Sequence, residues 1–387
     1  MRVLVASTGG AGHFNPLLPF VEALVRRGDE VLLVVPPALA ATVEASGYQF
    51  RVGADPPADE LAAIWERFPT VRPDEAAVLA NREIFGRLNT AAMLPTLESS
   101  CGDWRPDLVL REPAEYASAV AADRRGIPHA QVAISSATVE SASLALAAPV
   151  LEPYGSGLVE RILASPYLTR FPASLDPSPF PATRRFHEAL NAHAVPLPSW
   201  WDRDDAPLIY VTFGSVTGTL STAIAAYRAA LEAVAGLPAR VLLTIGRTTD
   251  RAPLGPVPTN VHVETWVPQD DVLSHAALVL CHGGSGTTFG ALAAGVPLVI
   301  MPLFADQPAN GRLVTAAGAG LVVEPEGSEN AAGAVGPSVA PRLRAAIETV
   351  LADTSYRQAA TSIANEMRAL PAVGEVLDFL GAASPLR

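Results

Sequence analysis

Lysine is absent from the sequence, so all 27 basic side chains are arginine. Without lysine the chain has no phosphate-binding P-loop, whose lysine contacts the phosphates of a bound nucleotide. Only two cysteines are present, Cys101 and Cys281, too few for a disulfide framework, and this favours a reduced, cytoplasmic setting. No run of about 18 apolar residues occurs, so no membrane span is predicted, and the apolar run at the N-terminus is too short for a signal peptide.

Positive charge is also scarce overall. Asp and Glu total 39 against 27 basic residues, a net charge of −12, which argues against nucleic acid or an anionic membrane surface as a partner. What the chain has in quantity is apolar material: 49% of its 387 residues are hydrophobic. That length and composition predict two domains, each with its own core.

The N-terminal segment reads as a complete βαβ unit. Arg2–Ala6 is an apolar run typical of a buried strand, and a glycine-rich loop follows it. Asn15 is a suitable N-cap with Pro16 at the first helical position, so a helix is predicted over 17–26. A second strand is predicted over 31–35, which makes this opening typical of a parallel α/β domain.

The same alternation restarts in the second half of the chain. Prolines interrupt the periodic pattern between Pro149 and Pro207, and the end of this region is interpreted as an interdomain linker. The fold class predicted is therefore α/β, with two doubly wound, Rossmann-like domains facing across a cleft. We expect an N-terminal domain over 1–200, a C-terminal domain over 201–370, and a last helix over 371–387 that packs back on the first domain.

One stretch in the second half has the pattern of an anion site. An apolar strand over 278–280 leads into a glycine-rich turn over 282–288, then an alanine-rich helix ending at Gly295 and another strand over 298–301. Free backbone N–H groups at the start of such a helix bind phosphate or diphosphate. Asp306 and Gln307 follow the second strand, at the edge of the sheet where open α/β folds bind ligands.

His13 and Glu112 are the candidate catalytic pair. Each follows a predicted strand of the first sheet, and the carboxyl ends of parallel strands share one edge. A histidine suits a general base near neutral pH, and a carboxylate on its second ring nitrogen would fix the tautomer. The residues alone leave two plainer readings open: His13 as a polar loop residue that caps a helix, and Glu112 as a solvated loop acid.

Three other chemistries fit the sequence poorly. The loop over 10–15 has Asn15 where a dinucleotide fingerprint needs its third glycine. The stretch around Ser285 lacks the final glycine of a hydrolase nucleophile elbow, because Thr287 stands at that position. The histidines His262, His275 and His282 have no zinc-like spacing with the cysteines, so no metal site is predicted.

Taken together, several motifs resemble the donor-binding signature of the UDP-glycosyltransferase superfamily, which has the GT-B fold. They are Trp266-Val267-Pro268-Gln269, His282-Gly283-Gly284-Ser285-Gly286-Thr287, Gly295-Val296-Pro297 and Asp306-Gln307-Pro308-Ala309-Asn310. Gly12-His13-Phe14-Asn15-Pro16 is similar to the acceptor-side motif of the same superfamily. The resemblance runs from the first strand to the C-terminal helices. It looks like the bacterial natural-product branch, whose members attach sugars, often from dTDP-deoxysugars, to polyketides and other antibiotics.

The resemblance implies roles for the matching positions. His13 matches the general base, and Glu112 stands where the superfamily commonly has an Asp that orients the base. Trp266 matches a ring that stacks on the nucleotide base, His282 a diphosphate contact, and Asp306 with Gln307 the pair that reads the sugar hydroxyls. The full donor-binding set is Gly214, Ser215, Trp266, Val267, Gln269, His282, Gly284, Ser285, Gly286, Thr287, Asp306 and Gln307.

Acceptor-binding candidates are less well defined. Gly12 comes from the N-terminal motif, and four large side chains of predicted helices could line an aromatic or macrolide pocket: Trp65, Phe68, Phe85 and Met93. Such side chains are also typical of a hydrophobic core.

The sequence thus predicts an inverting, metal-independent glycosyltransferase that moves a deoxysugar from a dTDP- or UDP-sugar to a small natural-product acceptor. No cofactor is expected beyond the nucleotide-sugar co-substrate. A sugar-nucleotide epimerase, a lipid glycosyltransferase and a non-catalytic nucleotide-sugar-binding protein stay open as alternatives, as does a homodimer. Acceptor, sugar, nucleotide, type of glycosidic bond and any activator protein are not determined by the sequence.

Overall fold

The computed structural model describes residues 1–188, 206–214, 223–246, 249–325 and 335–383. The chain divides into two compact units, one formed by Met1–Glu188 with the chain from Ala369 onward, the other by the residues between them. None of the helices in these described ranges is long and apolar enough to cross a membrane.

The first unit contains a seven-stranded parallel sheet in the order β3-β2-β1-β4-β5-β6-β7. Its strands are β1 (Arg2–Ala6), β2 (Glu30–Val35), β3 (Phe50–Val52), β4 (Leu108–Arg111), β5 (His129–Val132), β6 (Tyr167–Thr169) and β7 (Thr183–Arg185). From β1 the chain adds β2 and β3 on one side of the sheet, and it then crosses to add β4 on the other side of β1. The strand order therefore reverses between β1 and β4. That is the kind of position where doubly wound sheets bind ligands.

Helices connect these strands. They are α1 (Ala11–Phe14), α2 (Leu18–Arg27), α3 (Ala40–Ser46), α4 (Ala58–Arg67), α5 (Pro73–Val78), α6 (Thr90–Trp104), α7 (Ala117–Asp123), α8 (Ala137–Leu151), α9 (Leu158–Ala164) and, from the C-terminal part of the chain, α16 (Val373–Ala383). A π-helix, Leu79–Asn89, joins α5 to α6. So long a π-helix is rare, and such segments are frequent at functional sites.

The side chains of β1 show why the sheet is covered on both faces. Val3 and Val5 pack in one core cluster, with Phe20 of α2. Leu4 and Ala6 point the other way, into a second cluster that contains Leu97 of α6. Because strand side chains alternate between faces, a strand buried on both faces is apolar at nearly every position.

The C-terminal helix belongs to this unit. In α16, Leu377 and Leu380 are buried in the same cluster as Phe20 of α2. Arg27, at the end of α2, places Nη1 3.0 Å from Asp378 Oδ1. The backbone N–H of His187 donates to Pro371 O at 2.7 Å, just before α16 begins. Apolar burial supplies most of the packing energy here, since the ion pair is exposed.

The second unit contains a six-stranded parallel sheet in the order β10-β9-β8-β11-β12-β13. The strands are β8 (Leu208–Thr212), β9 (Arg240–Thr244), β10 (Val261–Glu264), β11 (Ala276–Cys281), β12 (Leu298–Ile300) and β13 (Gly320–Val322). The helices are α10 (Ala223–Val234), α11 (Gln269–Leu273), α12 (Ser285–Ala293), α13 (Gln307–Ala316), α14 (Val339–Ala352) and α15 (Thr354–Arg368). Their apolar faces and the strands form one large core cluster.

Two local predictions are wrong. Asn15 is not an N-cap: helical backbone begins at Ala11, Asn15 itself is helical, and its side chain makes no capping bond. The cause is Gly10, whose φ of 104° lets the chain turn into a helix earlier than Pro16 suggests. Pro149 does not interrupt periodic structure either, since it lies within α8. The predicted linker before Pro207 lies largely outside the described residues.

Candidate functional site

The candidate base lies at the carboxyl edge of the first sheet. β1 and β4 are parallel neighbours, with Ala6 opposite Arg111, so the residues that follow them emerge side by side. The turn at Gly10 then folds α1 back over this edge and places His13 Nδ1 3.3 Å from Glu112 Oε1. The predicted pair is therefore brought together, with Glu112 fully buried and His13 partly exposed.

Glu112 is held by more than His13. Its Oε1 accepts hydrogen bonds from Thr8 N at 3.1 Å and from Thr8 Oγ1 at 2.8 Å. Its Oε2 accepts one from Ala114 N at 2.7 Å. Burial raises the pKa of Glu112, but the charge of His13 and these hydrogen bonds outweigh it, and the pKa lies below its ordinary value. The carboxyl is therefore ionised at neutral pH and can stabilise an imidazolium.

Arg111 stabilises the turn that carries Glu112. Its guanidinium is fully buried, and Nη1 donates to the carbonyl oxygens of Glu112, Pro113 and Glu115 at 3.1, 3.1 and 3.2 Å. A buried cation that binds three carbonyl groups of one turn restricts the conformations of that turn. This aims the Glu112 side chain back toward Thr8 and His13.

Among the acceptor-binding candidates, Phe85 contacts the candidate base, and Trp65 pairs with Phe68. Phe85, on the π-helix, has its ring centroid 5.3 Å from that of His13, so it lies beside the candidate base. Trp65 is 54% exposed and its ring centroid lies 4.7 Å from that of Phe68. Gly12 is exposed on α1.

Met93 lies in the hydrophobic core of the first unit. It is only 3% exposed and belongs to the core cluster beneath α6. Its sulfur packs so closely on Gly53 that a Cβ at Gly53 would lie 2.3 Å from it. The Met93 side chain therefore fills the core, the alternative that the sequence left open for it.

The predicted diphosphate turn connects β11 to α12, which begins at Ser285. His282 is 9% exposed, and its ring packs between two glycines. A Cβ at Gly214 would lie 2.9 Å from the ring and one at Gly284 2.5 Å. Burial lowers the pKa of His282 to about 4, with Asp306 opposing this only in part. The imidazole is therefore neutral at pH 7, and it would contact a diphosphate as a hydrogen-bond donor.

Asp306 is joined to the turn by one direct hydrogen bond, and a second comes from Asn310 on α13. Ser285 Oγ donates to Asp306 Oδ2 at 2.7 Å, and Asn310 Nδ2 donates to the same oxygen at 3.0 Å. Asn310 Nδ2 also reaches Gly283 O at 2.9 Å. Ala305, just before Asp306, has a φ of 56°, a conformation that non-glycine residues rarely adopt. Backbone strain of this kind concentrates at ligand-binding sites.

The remaining donor candidates have distinct positions. Gln269 Oε1 accepts from Thr287 Oγ1 at 3.0 Å, which ties α11 to the first turn of α12. Gln307 is buried, and its Oε1 accepts from Leu303 N and Phe304 N at 2.8 and 3.0 Å, so that oxygen supports the loop before Asp306. Trp266 is 52% exposed, next to the half-buried Val267. Gly286 is exposed, and Ser215 lies outside the described residues.

Two residues of these sites have contacts for which the sequence predicted no role. Thr8 sits in the turn after β1, and only its contact with Glu112 identifies it. Asn310 ends the Asp306-to-Asn310 motif, which was a usable signal, since a buried Asn needs hydrogen-bond partners. Among the described residues, no group of three or more His, Cys, Asp or Glu side chains is arranged to hold a metal ion.

The two glycines at either side of Ser285 provide a matched test of the diphosphate turn. We expect Gly284→Ala to destabilise the second unit by about 1–3 kcal/mol, because its Cβ would overlap the buried His282 ring. A Cβ at Gly286 meets nothing within 4 Å, so Gly286→Ala should leave the unfolding temperature unchanged or raise it. Thermal denaturation of both variants checks this. Equal stability of the two would contradict the close packing of His282.

Two parallel α/β units, one with an imidazole–carboxylate pair and one with a glycine-rich turn at a helix start, define a glycosyltransferase of the GT-B fold class. The chain is similar to the solved structure of the glycosyltransferase SnogD from Streptomyces nogalater, with a TM-score of 0.74, 27% sequence identity and 99% of both chains covered. The predicted fold class is confirmed by this likeness.

The sequence relatives identify the family. Residues 22–154 and 228–382 match the N-terminal and C-terminal domains described as Erythromycin biosynthesis protein CIII-like. Elloramycin glycosyltransferase ElmGT of Streptomyces olivaceus is 31% identical, over 97% of this chain and 96% of its own. L-demethylnoviosyl transferase of Streptomyces niveus is 29% identical, over 99% and 98%. The chain belongs to this family of bacterial natural-product glycosyltransferases.

Proposed function

We propose that the protein is an inverting, metal-independent glycosyltransferase that transfers a deoxysugar from a dTDP- or UDP-sugar to a small natural-product acceptor. The observation that carries the proposal is the pairing of His13 Nδ1 with the buried Glu112 carboxylate at 3.3 Å. A protein that only bound a nucleotide sugar would have no use for such a pair. The names of the two sequence relatives support an antibiotic-type acceptor.

The pair determines which ring nitrogen acts as base. A proton on Nδ1, the nitrogen that faces the Glu112 carboxylate at 3.3 Å, leaves the lone pair on Nε2, and this nitrogen takes the proton of the acceptor hydroxyl. The deprotonated oxygen then attacks the anomeric carbon on the face opposite the diphosphate, and the carbon–oxygen bond to the diphosphate breaks. Glu112 stabilises the imidazolium that results, because its own low pKa keeps it ionised.

The second unit would bind the leaving group. The N-terminus of α12, with the Gly283–Gly286 turn before it, offers backbone N–H groups and the positive end of a helix dipole. Neutral His282 adds a side-chain donor beside it, and Thr287 adds its backbone N–H, since its hydroxyl already donates to Gln269. These groups would stabilise the negative charge that develops on the diphosphate, which is the task a divalent cation performs in other transferases.

Nucleotide choice and turnover can be tested in one series. Thermal shift with dTDP and UDP reports which nucleoside diphosphate binds, and we expect a clear shift with one of them. Incubating the preferred nucleotide's sugars with a panel of polyketide aglycones should then release nucleoside diphosphate and form a glycoside. The anomeric configuration of that product should be opposite to the donor's. If the protein binds the nucleotide but shows neither glycoside formation nor slow hydrolysis of the donor, a non-catalytic binding protein would be favoured.

Metal independence has its own test. We expect turnover to be unchanged after EDTA treatment, because the charge on the leaving diphosphate is met by the α12 N-terminus and His282. The measurement is the initial rate with EDTA, then with added Mg²⁺ or Mn²⁺. Activity that disappears with EDTA and returns with either cation would contradict this part of the proposal.

A further inference from the structure

The carboxylate of Glu112 has three donors around it besides His13, and two of them come from a single residue. Thr8 N and Thr8 Oγ1 both donate to Oε1, at 3.1 and 2.8 Å, and Oε1 is the oxygen that lies 3.3 Å from His13 Nδ1. Thr8 is 3% exposed. A hydrogen bond from a buried hydroxyl to a charged acceptor is stronger than one exposed to solvent.

We propose that Thr8 is a positioning residue for the catalytic pair: its hydroxyl holds Glu112 Oε1 against His13. The inference rests on the proposed function, since it assumes that His13 is the base. Thr8 touches no substrate in this scheme. It acts only through Glu112.

The length of the Glu112 side chain explains why an anchor is needed. Glutamate has one more rotatable bond than aspartate, so more side-chain freedom must be lost before its carboxylate points at the imidazole. Ala114 N fixes Oε2 at 2.7 Å, but a carboxylate held at one oxygen can still swing the other away. The Thr8 hydroxyl fixes the second oxygen, the one facing His13. The pair of anchors thus holds both oxygens of the longer Glu112 side chain in place.

The two donors of Thr8 can be separated by mutation. Thr8→Val keeps the backbone N–H and the branched shape of the side chain but removes the hydroxyl, and Thr8→Ser keeps the hydroxyl. Ser7 offers a matched control: it is 1% exposed, and its hydroxyl donates to Thr8 O at 2.8 Å rather than to the carboxylate. Ser7→Ala therefore removes a neighbouring buried hydroxyl without touching Glu112.

We expect Thr8→Val to lower kcat by about tenfold, the effect of losing one hydrogen bond to a charged group, with little change in KM. The acid limb of the pH–kcat/KM profile should move to lower pH. The reason is that a carboxylate that swings away stabilises the imidazolium less, so His13 stays unprotonated in more acidic solution. Thr8→Ser should restore both kcat and the limb, and Ser7→Ala should move neither.

A double-mutant cycle with Glu112→Gln decides whether Thr8 acts through the carboxylate. Glu112→Gln alone should shift the acid limb in the same direction and further. If Thr8 acts through Glu112, Thr8→Val has no added effect on kcat in the Glu112→Gln background. The inference would be overturned by a full tenfold loss of kcat in that background. It would also be overturned if the acid limb of the pH–kcat/KM profile of Thr8→Val did not move, or moved to higher pH.

Failure of the inference differs visibly from failure of the proposed function. If His13→Ala loses turnover while Thr8→Val behaves like wild type, only the role of Thr8 is wrong. If His13→Ala keeps near wild-type turnover, His13 is not the base, whatever Thr8 does. If the wild-type protein itself forms no glycoside, the proposed function fails.

Discussion

Replacing His13 with alanine is expected to lower kcat by about 10²–10⁴-fold, the usual contribution of a positioned general base. The acceptor hydroxyl would then have to lose its proton to water, and the buried Glu112 carboxylate would have no imidazolium to stabilise. The proposed donor-binding residues lie in the other unit of the chain, so we expect the affinity for the nucleoside diphosphate to stay the same. Steady-state kinetics and a thermal shift with the nucleoside diphosphate measure the two quantities separately.

His275→Ala is the matched control for this experiment. His275 is exposed, just after α11 in the second unit, and it belongs to neither candidate site. Its replacement should leave kcat unchanged. Near wild-type turnover in His13→Ala would remove His13 from the mechanism. A loss of nucleotide binding together with turnover would instead show that the substitution disturbs more than proton transfer.

Much of the fold follows from apolar runs that the sequence shows directly. The run at positions 2–6 is strand β1 with the predicted bounds, and the helix predicted over 17–26 corresponds to α2 at Leu18–Arg27. Strands buried on both faces are apolar at nearly every position, and the apolar residues of a helix recur about every 3.6 residues, so these patterns have few alternatives. Strand β7 is half-exposed and short, and its sequence gives no such signal.

The π-helix could not have been predicted from its sequence. Its residues, Leu79–Asn89, bury Ile84 and Leu88, a spacing of four that an ordinary α-helix also produces. What differs is the packing against α8, where Gly86 allows a close approach: a Cβ there would lie 2.8 Å from Val150. Tertiary contact selects the wider helix, and it determines that Phe85 lies beside His13.

The candidate site was predictable where sheet topology alone places residues together. His13 and Glu112 follow strands β1 and β4, and neighbouring parallel strands end at one edge, so their meeting needed no side-chain detail. Thr8 needed that detail. Its role depends on a hydroxyl rotamer and on the turn that Arg111 supports, and short-range geometry of this kind leaves no pattern in the sequence.

Removing the charge of Asp306 is expected to lower kcat/KM by about 10–100-fold while nucleoside diphosphate affinity stays the same. Ser285 and Asn310 hold Oδ2 in place, which pre-orients the carboxylate for the sugar hydroxyls assigned to it. A hydrogen bond from a substrate hydroxyl to a charged acceptor contributes about 1.5–3 kcal/mol, and each 1.36 kcal/mol changes a rate tenfold. Asp306→Asn is the informative variant, because an amide oxygen can still accept from Ser285 or Asn310.

Asp353→Asn is the control that isolates this effect. Asp353 also directly precedes a helix of the second unit, α15, and its Oδ1 accepts from Ser355 N at 2.9 Å, but it is exposed and far along the chain from the donor motif. That variant should keep wild-type kcat/KM. If Asp306→Asn weakened binding of the nucleoside diphosphate as much as it lowered kcat/KM, the carboxylate would be supporting the diphosphate turn through Ser285. A selective loss with the nucleotide sugar, and none with the nucleoside diphosphate, would assign Asp306 to the sugar.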